Sequence, residues 1–242
     1  MGTPTWVIAP SDDAAGDLAG ALGIHPLTAA LLRRRGYATV SDARRFLDPR
    51  LEDLSDPESL RGLRAGVDRV ARAITAGERI AIHGDYDVDG ISATAILLRG
   101  LRSLGTDPLW YLPHRLNDGY GLGIRAIDAL AAQGARLLIA ADCGITASDA
   151  VGHARMLGLD VVVLDHHTPA AERPAAIIIE PAREDGTDTL LCAAGLAFMF
   201  MAALRRRLGM SPTVAAGMAS LAALGTVADV VPLLDDNRRI AA

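Results

Sequence analysis

The sequence contains no lysine, so all 24 fixed positive charges are arginine. Carboxylates number 29, leaving a formal net charge of -5. That balance excludes the broad basic surface of a duplex-coating protein. The cationic groups that remain are guanidinium forks, which suit bidentate phosphate contacts. Cysteine is nearly absent: Cys143 and Cys192 lie far apart and form no CxxC pair. A structural zinc site or disulfide framework is thereby disfavoured, and a reducing cytoplasm fits. Aromatic residues are only 4% of the chain, so platforms for base stacking are scarce. Residues 1–10 lack a basic region followed by an apolar core and do not read as a secretory signal. The longest apolar run, residues 190–204, falls short of the roughly 20 residues that span a bilayer. It reads as a buried helix, and no membrane association is expected. There is no internal repeat and no low-complexity linker.

Half of the 242 residues are hydrophobic, enough for one large α/β domain and a smaller piece. Up to residue 77 the pattern is helical, with helices expected over 27–35, 42–47 and 60–76. Gly36 marks a helix end and Ser41 a cap. The Arg33–Arg35 run reads as a solvated helix face. Beyond residue 77, short apolar strands are expected at 79–82, 109–112, 137–141, 161–164 and 176–179. Helices fit between them at 91–104, 124–133 and 148–157, and two apolar helices follow at 193–208 and 212–224. Continuous apolar strands alternating with helices predict an α/β fold, a parallel sheet covered on both faces. The expected organisation is a helical segment over 1–77, the sheet domain over 78–235, and the start of a connection over 236–242.

The most informative stretch is Ile80-Ala81-Ile82-His83-Gly84-Asp85-Tyr86-Asp87-Val88-Asp89-Gly90. An apolar strand runs into His83 and then into Asp85, Asp87 and Asp89. Carboxylates this close repel one another unless a positive group holds them. Divalent cations bind carboxylate oxygens, and imidazole suits manganese, zinc and iron. The competing reading is a solvated acidic turn. Two further strands deliver similar residues: Asp142-Cys143-Gly144 follows the third, and Asp165-His166-His167 the fourth. Alone, Asp142 reads as a helix cap and His166 as a satisfied turn histidine. Ligands of parallel sheets gather beyond the carboxyl ends of strands, so together these residues read as one site. Asp229 stands alone among Val227, Ala228, Val230 and Val231, where an unpaired carboxylate is costly to bury. It is either a metal ligand or a helix-end ion pair. Arg115, at the end of the second strand, is a phosphate contact or a surface arginine. Gly119, Gly121 and Gly123 do not have dinucleotide-loop spacing and read as a flexible substrate-side loop.

In order, Asp85-Tyr86-Asp87-Val88-Asp89-Gly90, Asp142-Cys143-Gly144-Ile145, Asp165-His166-His167 and Gly225-Thr226-Val227-Ala228-Asp229 resemble the successive motifs of the DHH phosphoesterase superfamily. Asp118-Gly119-Tyr120-Gly121-Leu122 and Pro113-His114-Arg115 are similar to its single-strand-specific 5′→3′ exonuclease branch, and the resemblance covers nearly the whole chain. It implies hydrolysis of single-stranded DNA to 5′-mononucleotides in repair and recombination. It also implies two Mn²⁺ ions, with Mg²⁺ as the alternative. His83, Asp87 and Asp142 would hold one ion. Asp89, Asp142, His166 and Asp229 would hold the other, with Asp142 bridging. Asp85, Asp165 and His167 would surround them or touch the phosphate, and Arg115 and His167 would contact substrate. Two cations ~3.5–4 Å apart can activate a shared water and clamp a phosphodiester. Single-stranded DNA is the implied partner of a monomer, with a single-strand-binding protein or a helicase as candidate protein partners. Glu180-Pro181 departs from the Asn-Pro common in that branch. A second lobe and an oligonucleotide-binding barrel are expected to follow residue 242. The alternatives are a phosphoesterase of short oligonucleotides, cyclic dinucleotides or pyrophosphate, and a replication scaffold without catalysis. The filled ligand positions argue against the scaffold.

Overall fold

The computed structural model describes residues 7, 10, 12–116, 119, 121–211 and 216–242. The chain forms two compact units, residues 1–49 and 50–242. The smaller unit holds α1 (Ala14–Leu22), α2 (Pro26–Arg34) and α3 (Val40–Leu47). Leu18, Ala29, Leu32 and Ala43 form its core, and Tyr37 stacks on Phe46 with ring centroids 4.3 Å apart. Pro26 opens α2, where its fixed φ is already helical. Thr39, rather than the expected Ser41, caps α3: its hydroxyl accepts from the Asp42 N–H at 3.1 Å, because the helix starts at Val40. Helix α1 is an addition to the expected elements, since its Ala- and Gly-rich sequence carries little apolar periodicity.

The larger unit runs α4 (Leu63–Ala76), β1 (Ile80–His83), α5 (Val88–Ser103), β2 (Leu109–Tyr111), α6 (Ile124–Ala132), β3 (Leu137–Ala141), α7 (Ser148–Met156), β4 (Asp160–Leu164), β5 (Ile177–Ile179), α8 (Ala193–Arg207), α9 (Ala216–Ala228) and α10 (Asp235–Ala241). All five strands are parallel, in the order β2-β1-β3-β4-β5. Alternation along the strands divides the core. Ile80, Ile82, Leu137, Ile139, Val162 and Leu164 face one layer with α4, α5, α8 and α9. Ala81, Leu138, Ala140, Val161 and Val163 face the other layer with α6 and α7. Each fully buried Leu, Ile or Val contributes about 1.5–3 kcal/mol, so the strands are fixed from both sides.

Helix α4 lies in the unit of the sheet, although the sequence pattern groups it with the N-terminal helices. Leu63, Val67 and Val70 join the core of Val162 and Ile179. A Cβ on Gly66 would come within 2.6 Å of Ile179 Cδ1, so the glycine lets α4 approach β5 closely without displacing that side chain. The expected helix at 91–104 begins at Val88 instead, inside the acidic stretch. Of the expected helix at 212–224, residues 212–215 lie outside the described residues. Helix α10 forms where only a connection was expected. Residues 193–207 do form a helix, buried along most of its length. Among the described residues no single helix is long and apolar enough to cross a membrane.

The strand order places the functional edge. From β1 the chain goes outward to β2 and then returns to the other side at β3. The crevice between the carboxyl ends of β1 and β3 is therefore the switch point where ligands of such sheets bind. His83 ends β1 and Asp142 follows β3, so both stand at that crevice.

Candidate metal centre

The acidic stretch folds tightly because α5 starts within it. Asp87 caps the helix, its Oδ1 accepting from Gly90 N at 2.9 Å. Gly90 lies against the preceding loop: a Cβ there would meet the Asp85 Cβ and backbone nitrogen at 2.7 Å. Asp85 is thereby buried, and its Oδ1 accepts from the Tyr86 N–H at 2.7 Å. Asp89, in the first turn of α5, is also buried. Its two oxygens accept from the backbone N–H groups of Ala193 at 2.7 Å and Ala194 at 2.9 Å. Those groups open α8, so the carboxylate also sits at a favourable helix N-terminus. Each Asp89 oxygen retains a lone pair for another partner.

Asp142 holds the centre. Its backbone φ is +63°, a left-handed conformation that non-glycine residues adopt rarely and that clusters at functional sites. The side chain is 1% exposed. Its Oδ1 receives no hydrogen bond of acceptable geometry, although His166 Nε2 lies 3.3 Å away and His167 Nδ1 4.0 Å away. His166 Nε2 is also 3.6 Å from Asp89 Oδ2 and 3.7 Å from Asp229 Oδ2. Asp229 directly follows α9, its N–H donating to Gly225 O at 2.9 Å. Asp165 organises its neighbours rather than facing the centre. Its carboxylate accepts from Ile145 N at 2.9 Å, His167 N at 3.1 Å and His167 Nδ1 at 2.7 Å. The last bond fixes the orientation of the His167 ring, whose side chain is 42% exposed.

The charges are strained without a counter-ion. Burial, reinforced by the fields of Asp89 and Asp87, pushes the Asp142 carboxyl up to about 7 against the pull of His166. Burial likewise raises Asp85 and Asp229, and Asp89 and Asp87 add to the rise at Asp229. Burial would lower His166, but Asp142, Asp89 and Asp229 outweigh it and the imidazole is raised. The hydrogen bond to Asp165 raises His167 to about 9. Burial opposes ionisation of Asp165, yet its hydrogen bonds from His167 and Ile145 hold it low.

This donor set fits divalent cations. Two groups place one ligand atom per residue within 4.8 Å of each other: Asp89, His166 and Asp229, and Asp142, His166 and His167. Mixed carboxylate and imidazole donors suit Mn²⁺, and the buried Asp142 Oδ1 without a donor is the atom such an ion would satisfy. The structure gathers Asp89, Asp142, His166 and Asp229 as the sequence led one to expect. It also brings His167 into a close group, where a place outside the ligands was expected. His83 and Asp87 are in neither group. The His83 ring is buried beside Cys143 Sγ, at 3.6 Å from Nδ1, and stacks on Tyr111 with centroids 5.4 Å apart. Asp87 is exposed and caps α5, reaching the centre through its field. The Arg115 guanidinium lies 5.4 Å over the Tyr86 ring. Of the glycine loop, Asp118 and Tyr120 lie outside the described residues.

Sequence reasoning missed the Ala193 and Ala194 N–H groups and the role of Gly225. A Cβ at Gly225 would come within 2.6 Å of Asp89 Oδ1. The signal was the run of small residues Ala193-Ala194-Gly195, which opens a helix next to an acidic partner.

Comparison with known proteins adds an independent view. The family model described as DHH family, N-terminal domain, matches residues 79–226. The single-stranded-DNA-specific exonuclease RecJ of Bacillus subtilis is 39% identical over 235 residues, covering 96% of this chain and 29% of that protein. A solved structure of RecJ with Mn²⁺ from Thermus thermophilus superposes with a TM-score of 0.79 at 34% identity, over 96% of this chain and 32% of that one. A manganese-bound exonuclease RecJ gives a TM-score of 0.70 at 40% identity, over 75% of this chain and 46% of that one. The chain thus spans roughly a third of the length of curated relatives, between 29% and 39% for the RecJ proteins.

Proposed function

The chain belongs to the DHH family, and on that premise we propose that it hydrolyses phosphodiesters of single-stranded DNA from the 5′ end in a Mn²⁺-dependent reaction. The observation that carries this reading is the buried Asp142 Oδ1 at the sheet's switch point, with His166 and His167 beside it and Asp89 and Asp229 around His166. Two bound cations would supply Lewis acidity and an activated water. Asp142 would serve both ions, Asp89, His166 and Asp229 one of them, and His83 and Asp87 the other. Mg²⁺ is the alternative ion.

The chain's own residues then have distinct tasks. Ala193 N and Ala194 N hold Asp89 in place, and Asp142, on a left-handed backbone, presents its Oδ1 3.3 Å from His166 Nε2. Asp165 orients His167, and its carboxylate favours the protonated ring, which suits an approaching phosphate. Asp85 adds negative potential from beneath the loop. Arg115, poised over Tyr86, is the proposed contact for a neighbouring phosphate. The net acidic balance is compatible with this substrate, because bound cations neutralise several carboxylates and a threaded strand needs only a narrow basic channel.

Single-stranded DNA is the proposed partner of a monomer, with a single-strand-binding protein or helicase acting on the same strand, in repair and recombination. The two buried free cysteines favour a cytoplasmic setting. The test uses 5′-labelled and 3′-labelled single strands and a matched duplex with Mn²⁺. Early release of the 5′ label as mononucleotide, with the duplex spared, is the expected result. Cleavage restricted to pyrophosphate or dinucleotides would replace this reading by the short-substrate alternative. Absence of both hydrolysis and Mn²⁺ binding would leave the scaffold.

A further inference from the structure

The turn after β3 supplies more than Asp142. Asp142 has φ +63° and Gly144 φ +110°, so Cys143 stands between two left-handed residues. A Cβ at Gly144 would come within 3.3 Å of the Ala140 Cβ and of Val163, so the turn lies close on the ends of β3 and β4. It carries the Cys143 side chain back to His83, the last residue of β1.

Cys143 is a buried free thiol. Its Sγ lies 3.6 Å from His83 Nδ1 and 4.0 Å from the His83 carbonyl oxygen. A carbonyl oxygen only accepts, whereas a ring nitrogen either donates or accepts. The one thiol proton satisfies both contacts only if it goes to the carbonyl and the ring donates its Nδ1–H to sulfur. Tyr111 stacks on the same ring, with centroids 5.4 Å apart and planes at 24°. Its face is thus covered and its Nδ1 edge meets the sulfur.

We infer that Cys143 is a positioning residue: by accepting the Nδ1–H of His83 it fixes the tautomer whose lone pair is on Nε2, the nitrogen left to bind a cation. A ligating histidine usually donates its other N–H to an oxygen acceptor, and sulfur takes that place here. The role of His83 as ligand rests on the Mn²⁺ reading above; the tautomer rests on the Cys143 contacts alone. His167 has a different partner, the Asp165 carboxylate 2.7 Å from its Nδ1, which favours the charged ring. A neutral thiol orders His83 without adding that charge, and only a neutral imidazole is a ligand. A serine oxygen, on a shorter bond, would fall outside hydrogen-bond reach of Nδ1. That accounts for one of only two cysteines in the chain standing at this position.

Histidine ¹⁵N spectroscopy of the metal-free protein at pH 8 tests this, because protonated and bare ring nitrogens differ in shift. Signals lost in His83→Gln identify the ring. The wild type is expected to show Nδ1–H with a bare Nε2, and Cys143→Ala a mixture of both tautomers. Calorimetric titration with Mn²⁺ is the second measurement. Cys143→Ala is expected to weaken one of two binding steps about tenfold and to leave the other, with a thermal melt confirming that the variant is folded. A wild-type ring protonated on Nε2 overturns the assignment whether or not the variant folds. So does a folded Cys143→Ala that keeps the Nδ1–H tautomer alone or binds Mn²⁺ with unaltered affinity. A wild type that binds no Mn²⁺ would instead overturn the hydrolase reading, and the ligand role of His83 with it.

Discussion

Asp142→Asn is expected to stabilise the metal-free protein at alkaline pH while removing its response to Mn²⁺. Asparagine keeps the size of the side chain and tolerates the left-handed backbone at φ +63°. What it removes is a buried charge. The Asp142 carboxyl is raised from 3.8 to about 7 in the folded state. An acid with a raised folded pKa binds more protons folded than unfolded between those values, so stability falls as pH rises through that window. A shift of about three units corresponds to roughly 4 kcal/mol above pH 7. His166 is itself raised by Asp142 and loses that partner in the variant, so the net gain is about 2–4 kcal/mol. In a unit of this size that is a rise of about 5–15 °C in Tm. The assay is thermal unfolding by circular dichroism in EDTA at pH 8 and pH 5. At pH 5 the wild-type carboxyl is largely protonated, so the gain should shrink sharply. Added Mn²⁺ should raise Tm strongly in the wild type, by mass action on the folded state, and little in the variant. A variant less stable than wild type at pH 8, or a gain just as large at pH 5, would refute the reasoning.

Three further outcomes are expected. Gly225→Ala should weaken Mn²⁺ affinity about tenfold or more and cost about 1–3 kcal/mol, because the new methyl would sit 2.6 Å from Asp89 Oδ1 and the Ala194 Cβ; calorimetric titration showing unaltered affinity would contradict it. His167→Ala should lower turnover more than metal affinity if the ring's main task is to meet the phosphate; a loss of Mn²⁺ binding as large as the loss of kcat would make it a ligand, as its proximity to Asp142 also allows. Arg115→Ala should mainly raise KM for DNA, since a ground-state phosphate contact is lost; an unchanged KM with collapsed kcat would move Arg115 to the transition state.

Much of the fold was legible because the strands are continuous apolar runs, which only a sheet covered on both faces accommodates. The gathering of Asp89, Asp142 and His166 was legible from strand ends, since a parallel sheet delivers its carboxyl ends to one edge. Asp229 was legible only through the family resemblance: Val227 and Val230 beside it are exposed and its own carboxylate is only part-buried, so the expected cost of burial does not apply there. Other features depend on tertiary contacts that no local pattern encodes. The early start of α5 follows from the Asp87 cap and the close approach of Gly90 to Asp85, which together draw the helix into the acidic loop. The hold on Asp89 by α8 joins residues more than a hundred positions apart. The carbonyls of Leu190 and Pro232 are linked by Asn237 on α10, a helix of seven residues too short to carry a clear periodic pattern.

The central claim is that Asp142 bridges two cations. Anomalous diffraction at the manganese edge, from crystals equilibrated with Mn²⁺, tests it directly. Two peaks ~3.5–4 Å apart, both within bonding distance of the Asp142 carboxylate, are the result this account expects, with Asp89, His166 and Asp229 around one of them. A single peak that Asp142 does not ligate, or no peak in this crevice, would contradict it.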